Sequence, residues 1–268
     1  MNKYFDVPDS LVLGRRPNER VPLAEQQRQR TEAEDILTRL VRQPGVVLAD
    51  EVGMGKTFVA LAAAYCVAVQ SRKGPVVVMV PPNLVDKWEQ DLDAFCALYL
   101  DDIVLVNRHR AQPRELRQAG ALRYGVARHS VEFLKLLDDK PRERCHIVLL
   151  AQGAMSRGQT DIWVRLALIR ETLRHGRRER LTKVRQHIHR FMGELLRAKG
   201  WERATWWPND GGDLWHELLR NDPCKWKSIY NRWARTGLDD DPVPASVLKA
   251  LSRKRIAIDL NQFAGALA

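Results

Sequence analysis

The stretch Val46-Val47-Leu48-Ala49-Asp50-Glu51-Val52-Gly53-Met54-Gly55-Lys56-Thr57 constrains this chain more than any other. Val46 to Ala49 are apolar and read as a short strand covered on both faces. Gly53 and Gly55 permit backbone angles that other residues resist, and let main chain approach a ligand closely. Phe58 to Ala64 then read as helix. A strand, a glycine turn and a helix start bring unpaired amide N–H groups and a helix N-terminus to one point, which suits a phosphate. On this reading Lys56 reaches the β- and γ-phosphates and the Thr57 hydroxyl ligates Mg²⁺.

The general pattern G-x-x-x-x-G-K-[ST] is met only in part, because Asp50 stands at its first glycine. The departure is informative. Leu48 to Thr57, with the acidic pair Asp50-Glu51 ahead of Gly-x-Gly-Lys-Thr, resembles motif I (the Walker A loop) of Swi/Snf-like, superfamily-two helicase-type ATPases. That resemblance implies an ATP site built from Asp50, Glu51, Val52, Gly53, Met54, Gly55, Lys56 and Thr57, with Lys56 and Thr57 as the main side chains and Mg²⁺ held at Thr57 through ATP.

Residues 1–24 carry Pro8, Pro17 and Pro22 and read as an irregular lead-in. From Glu25 to Leu40, Ala33, Ile36, Leu37 and Leu40 recur at helical spacing until Pro44-Gly45 interrupts. Gln26, Gln27 and Gln29 sit at this helix's start. In the resembling family a glutamine here reads the adenine edge with an amide that both donates and accepts. Gln29 fits best, since Ala33 and Ile36 then fall where the family's helix is apolar, although the family's Pro-His or Pro-Tyr before it is absent.

Pro75 to Val80 read as a second buried strand, followed by Pro81-Pro82-Asn83-Leu84 and a helix with Trp88. This resembles motif Ia, which implies DNA-phosphate contacts at Pro81 and Asn83. Asn83 is also expected to cap the helix, and Trp88 is read as a core anchor. Asp102 to Val106 read as a third strand, and residues 107–130, rich in arginine, as either a phosphate track or a solvated connection. Val131 to Leu137 read as helix and Arg144 to Ala151 as a fourth strand. The following loop resembles motif Ib weakly and implies phosphate contacts at Ser156 and Arg157. Strands alternating with helices predict an α/β fold, a parallel sheet with helices on both faces. Its ligands would lie at the strands' carboxyl ends. The resemblance makes this a RecA-like lobe over residues 25–157.

Charge separates the rest. Residues 1–150 hold 22 Lys/Arg against 20 Asp/Glu, whereas residues 151–268 hold 22 against 13 and seven of the eight Trp. A basic excess suits a polyanionic partner, and equally a set of solvated helical faces. Ile162, Leu166, Ile169 and Leu173 repeat on one helical face. Residues 158–268 therefore read as a mostly helical, basic, Trp-rich insertion, with Asp239 to Pro244 as a linker. Its tryptophans either stack on bases or build a small core. The N-terminus lacks a signal peptide's apolar core, no apolar run spans a membrane, and the cysteines form no C-x-x-C pair. A cytoplasmic chain with reduced thiols is expected, with no membrane.

The resemblance also implies parts that the sequence does not display: a strand ending in Asp-Glu, and a second RecA-like lobe supplying arginine fingers. Arg255 to Leu260 is strand-like, but Leu260 stands where the Glu belongs. The expectation is an ATP- and Mg²⁺-binding part of a DNA translocase acting on double-stranded DNA. It would be hydrolysis-deficient alone and completed by a C-terminal lobe in cis or from a second chain. The competing expectation is a nucleotide-dead lobe acting as a protein-interaction module.

Overall fold

The structure is a computed structural model that describes residues 5–18, 20–49, 53–71, 73–154, 161–175, 211–233 and 237–252. The chain divides into two compact units, Met1–Ser156 and Arg157–Ala268.

The first unit is built on a four-stranded, all-parallel sheet. Its strands are β1 (Val76–Val80), β2 (Val104–Asn107), β3 (Ala121–Ala127) and β4 (Ile147–Ala151), in the order β1-β4-β3-β2. Val76 pairs with Ile147, Tyr124 with Ile147, and Val104 with Ala121. Helices α1 (Leu23–Leu40), α2 (Lys56–Gln70) and α3 (Val85–Tyr99) cover one face. There Leu37, Leu61, Phe95 and Tyr99 share a core with Leu122, Tyr124, Ile147 and Leu149 of the sheet. A one-turn helix, α4 (Pro113–Leu116), follows β2, and α5 (Ser130–Asp138) covers the opposite face with Leu136 against Val148 and Leu150. A Cβ at Gly125 would lie 2.8 Å from the Leu136 methyls, so glycine in β3 is what lets α5 approach so closely. The alternation along β4 is visible in these two clusters: odd residues face one side and even residues the other.

Two expectations about the sheet need correction. Val46 to Ala49 take no place in it, and Val47 is 90% exposed. A strand exists only through a neighbour's ladder, and among the described residues none runs beside this segment, of which Leu48 packs against the core. Conversely, β3 lies within the stretch read as a polar connection, and it is a central strand. Its Arg123 is accommodated because its guanidinium donates to the carbonyls of Arg144 (2.8 Å) and Leu116 (3.1 Å). Arg108 pairs with Asp139 through two bonds of 2.7 and 2.8 Å, Arg117 with Glu143, and Arg128 with Asp86. These arginines tie the connection to the fold rather than forming an open phosphate track. Asn83 does not cap α3: it lies in a 3₁₀ turn, Pro82–Leu84, and the N-cap position is Leu84 with no side-chain bond.

The sheet ends abruptly at β1. Val76 and Val78 pack on the main core, whereas Val77 and Met79 on the other face are 38% and 60% exposed. The lead-in is irregular, as expected, but it is not peripheral. Leu11 and Leu13 are 1% and 0% exposed, Leu11 bridges Leu100, and the Ser10 and Tyr65 hydroxyls lie 2.6 Å apart.

His146 provides a pH test of this unit. Its Nδ1 accepts from the Arg123 backbone N–H at 3.0 Å, and burial, with the Arg123 charge second, pulls its pKa down to about 4 from 6.5. Between those values the unfolded chain takes up a proton that the folded chain refuses. The contribution is therefore complete above about pH 6.5 and is lost as pH falls toward 4, roughly 2 kcal/mol after allowing for partial exposure. Denaturation curves of His146→Gln should lose stability less steeply across that window. An unchanged slope would contradict this account.

In the second unit the helices are α6 (Ile162–His175), α7 (Gly211–Arg220), α8 (Trp226–Trp233) and α9 (Ala245–Ser252). Leu166, Ile169, Leu214, Leu218, Trp226 and Leu251 form its core. Trp226 is fully buried and its indole N–H donates to the Leu218 carbonyl at 2.7 Å. Trp163 stands edge-on to Tyr230 at 5.3 Å, and Trp233 donates to Glu217 at 2.7 Å. These three tryptophans serve the core, while Trp201, Trp206 and Trp207 lie outside the described residues. The expected linker is only partly one: Asp239 to Asp241 are exposed, but Val243 is 1% exposed in this core. Among the described residues no helix is long and apolar enough to cross a membrane.

Candidate nucleotide site

The glycine turn folds as its composition requires. Gly53 and Gly55 have φ of +93° and +72°, a region costly for residues with a Cβ. Gly55 is the N-cap of α2, and no side chain caps that end. The first N–H groups of a helix have no intrahelical partner, so an uncapped start offers donors and the positive end of the helix dipole to an anion. Lys56 and Thr57 occupy the first turn, half-buried. Phe58 anchors that turn, its ring 6.1 Å from Phe95 and 5.6 Å from Tyr99 of α3.

A cleft of about 370 Å³ opens here. Gly53, Gly55, Lys56, Thr57 and Phe58 line one side, and Lys87 and Asp91 of α3 line the other. Met54 is 37% exposed beside it. Asp50, Glu51 and Val52 lie outside the described residues, as do Ser156 and Arg157. Pro81 and Asn83 are exposed just beyond β1 but do not line the cleft. Lys87 and Asp91 were not singled out by the sequence; the signal was their spacing of four on a helix that starts at a strand's carboxyl end.

The three glutamines separate clearly. Gln27 is exposed. Gln26 is buried and engaged with the chain before α1, donating to the Val21 carbonyl at 2.8 Å and accepting from Gly14 N–H at 3.4 Å. Gln29, 3% exposed, lies against Gly55, where an added Cβ would collide with its amide. Its Nε2 donates to Glu25 at 3.3 Å, and its Oε1 is buried without a hydrogen-bond partner among the described residues. An orphaned buried acceptor costs about 1–3 kcal/mol. Gln29 does not line the cleft; the groups there that fit a phosphate with its Mg²⁺ are Lys56, Thr57 and the uncapped start of α2.

Arg28 was also not foreseen. It donates to the Met54 carbonyl and pairs with Glu25 and Glu32, which fastens α1 to the glycine turn. The hydrogen bond from Arg28 holds the Glu25 carboxyl below its ordinary range. The expected result of Arg28→Ala is a looser turn. Amide exchange at residues 53–57 should quicken about tenfold, the scale of one charge-assisted bond. Unchanged exchange would show that the turn holds without it.

The fold and this geometry agree with what the chain is similar to. The SNF2-related domain family matches residues 26–172, more than half the chain. ATP-dependent helicase fft2 of Schizosaccharomyces pombe is 31% identical over 81 residues, 30% of this chain and 6% of that protein. The SWI/SNF-related matrix-associated actin-dependent regulator of chromatin subfamily A containing DEAD/H box 1 of Mus musculus is 36% identical over 59 residues, 21% of this chain and 6% of its own length. The chain thus spans a small fraction of the curated relatives it matches. No solved structure matches it. The chain belongs to the SNF2-related family of helicase-type ATPases and corresponds to the N-terminal, parallel-sheet region.

Proposed function

We propose that this chain is the ATP-binding part of a DNA-dependent ATPase that translocates on double-stranded DNA. The observation that carries the reading is the cleft between the uncapped start of α2 and α3, lined by Gly53, Gly55, Lys56 and Thr57. Lys56 takes the β- and γ-phosphates, Thr57 ligates Mg²⁺, and Gln29 reads the adenine edge. Asp50, Glu51 and Val52 complete the loop. Pro81, Asn83, Ser156 and Arg157 touch DNA phosphates, aided by the basic residues of 158–268. The setting is a reducing one, such as the cytoplasm.

Hydrolysis by this chain alone is weak or absent. The reading is supported by the exposed apolar residues Val77 and Met79 and by Val46 to Ala49 running unpaired: among the described residues no strand pairs with β1 on its outer side, where a further strand would fit. That strand and a second lobe come in cis or from another chain. The exposed β1 edge also favours the rival reading, a nucleotide-dead interaction module. The burial of Trp226 and the packing of half-buried Trp163 and Trp233 against the same core weigh against a docking face centred on these tryptophans.

The test is nucleotide binding and ATP turnover of the purified chain, with and without double-stranded DNA, beside Lys56→Ala. Binding without appreciable turnover is expected. DNA binding should weaken steeply with salt, as counterion release demands; salt-insensitive association would favour the module. Rapid DNA-stimulated turnover that Lys56→Ala removes would overturn the hydrolysis-deficient part.

A further inference from the structure

We propose that α3 supplies half of the charge recognition in the nucleotide cleft, with Lys87 binding phosphate oxygens and Asp91 holding Mg²⁺ opposite Thr57. The inference rests on the ATP-binding reading and adds two residues to it.

Lys87 and Asp91 are one helical turn apart, so their side chains leave α3 on the same side. Both line the cleft that Gly53 to Phe58 line from the other side. Lys87 is exposed, Asp91 is half-buried, and neither has an ion-pair or hydrogen-bond partner among the described residues. Their neighbours are committed elsewhere: Asp86 pairs with Arg128, and Glu89 accepts from Tyr124 at 2.7 Å and from Asn107 at 3.0 Å. Lys87, Asp91 and Asp93 are thus the charged groups of α3 left without an ion pair or side-chain hydrogen bond among the described residues, and of these Lys87 and Asp91 line the cleft.

Their signs explain the arrangement. A second ammonium across from Lys56 adds attraction for a polyphosphate carrying several negative charges. A carboxylate facing a phosphate loop repels that ligand unless a cation lies between them. Among the described residues Asp91 is the carboxylate that lines this cleft. Mg²⁺ is commonly held by one or two carboxylates, a hydroxyl, phosphate oxygens and water rather than by an all-protein cage. Thr57 and Asp91 are oxygen donors of that kind. No group of three acidic, His or Cys side chains that would hold a metal unaided occurs among the described residues.

The experiment is equilibrium titration of the full chain with a fluorescent ATP analogue and with AMP, with and without Mg²⁺ at fixed ionic strength. Wild type, Lys87→Ala, Asp91→Asn and Lys56→Ala are compared. Lys87 is exposed and Asp91 half-buried, and unchanged circular dichroism would confirm intact folding. Lys87→Ala should weaken ATP binding about tenfold and AMP binding little. Asp91→Asn should bring the factor by which Mg²⁺ tightens ATP close to one. Wild-type behaviour of both variants, while Lys56→Ala loses binding, would overturn the inference and leave the ATP site standing. Altered binding in Lys87→Ala with normal Mg²⁺ dependence in Asp91→Asn would overturn its metal half. Wild-type binding by Lys56→Ala would overturn the ATP site itself and the inference with it.

Discussion

Lys56→Ala is expected to lower ATP affinity by at least about a hundredfold, the loss of a charge-assisted contact at the most highly charged part of the ligand. Three features make this substitution clean. Lys56 is the first residue of α2, and alanine is the best helix former, so the helix start survives. The adjacent turn is set by Gly53 and Gly55 and by the Arg28 bond to Met54, none of which involves the ammonium. The packing of the first turn comes from Phe58 rather than Lys56. Calorimetric titration should therefore show lost binding in a chain whose circular dichroism still reports the folded helices. Lost binding together with lost stability would mean that the lysine holds the fold, and unchanged binding would place the phosphates elsewhere.

Trp226→Ala should be the most damaging single change in the helical unit, at about 3–5 kcal/mol. The indole is wholly buried among Leu166, Leu218 and Ile229, with Trp163 at 6.1 Å. Removing it leaves a cavity lined by residues of three helices and strips the Leu218 carbonyl of its indole donor. Denaturant unfolding followed through the far-ultraviolet helix signal should show an early transition, while the sheet unit keeps its own. If the tryptophan served instead to stack on bases, the variant would fold normally and lose only nucleic-acid affinity. The buried indole argues for the first outcome.

How much of this was legible beforehand varies with the kind of signal. α1, α2, α3, α5, β1 and β4 follow from local pattern: apolar residues at spacings of three and four, or short apolar runs closed by Pro81 after β1 and by Gln152-Gly153 after β4. β3 was hidden because Arg123 sits inside it and Tyr124-Gly125 breaks the run, and what admits an arginine there is a pair of carbonyls distant in sequence. Val46 to Ala49 failed in the opposite direction, since an apolar run names a candidate strand but not its partner. At the site, the glycine turn and its Lys-Thr pair are contiguous and could be read directly. Gln29 was singled out only through resemblance to a family, as a reader of adenine; its place against Gly55 is a tertiary contact. Arg28, Lys87 and Asp91 join that turn only through tertiary structure, and from sequence they look like ordinary helix-surface charges.

The threading of residues 5–14 into the first unit bears on how the chain is made. Ser10 meets Tyr65, 55 residues further on, and Leu11 waits for Leu100. On a ribosome this segment emerges before α3 yet finds its seat only after α3 has followed it out. Until then Leu11 and Leu13 stay in water, and the α1–α2 layer lacks one of its walls. Residues 5–14 thus act as a late latch on helices made after them. Closing so distant a contact carries the loop-entropy cost that slows non-local folding.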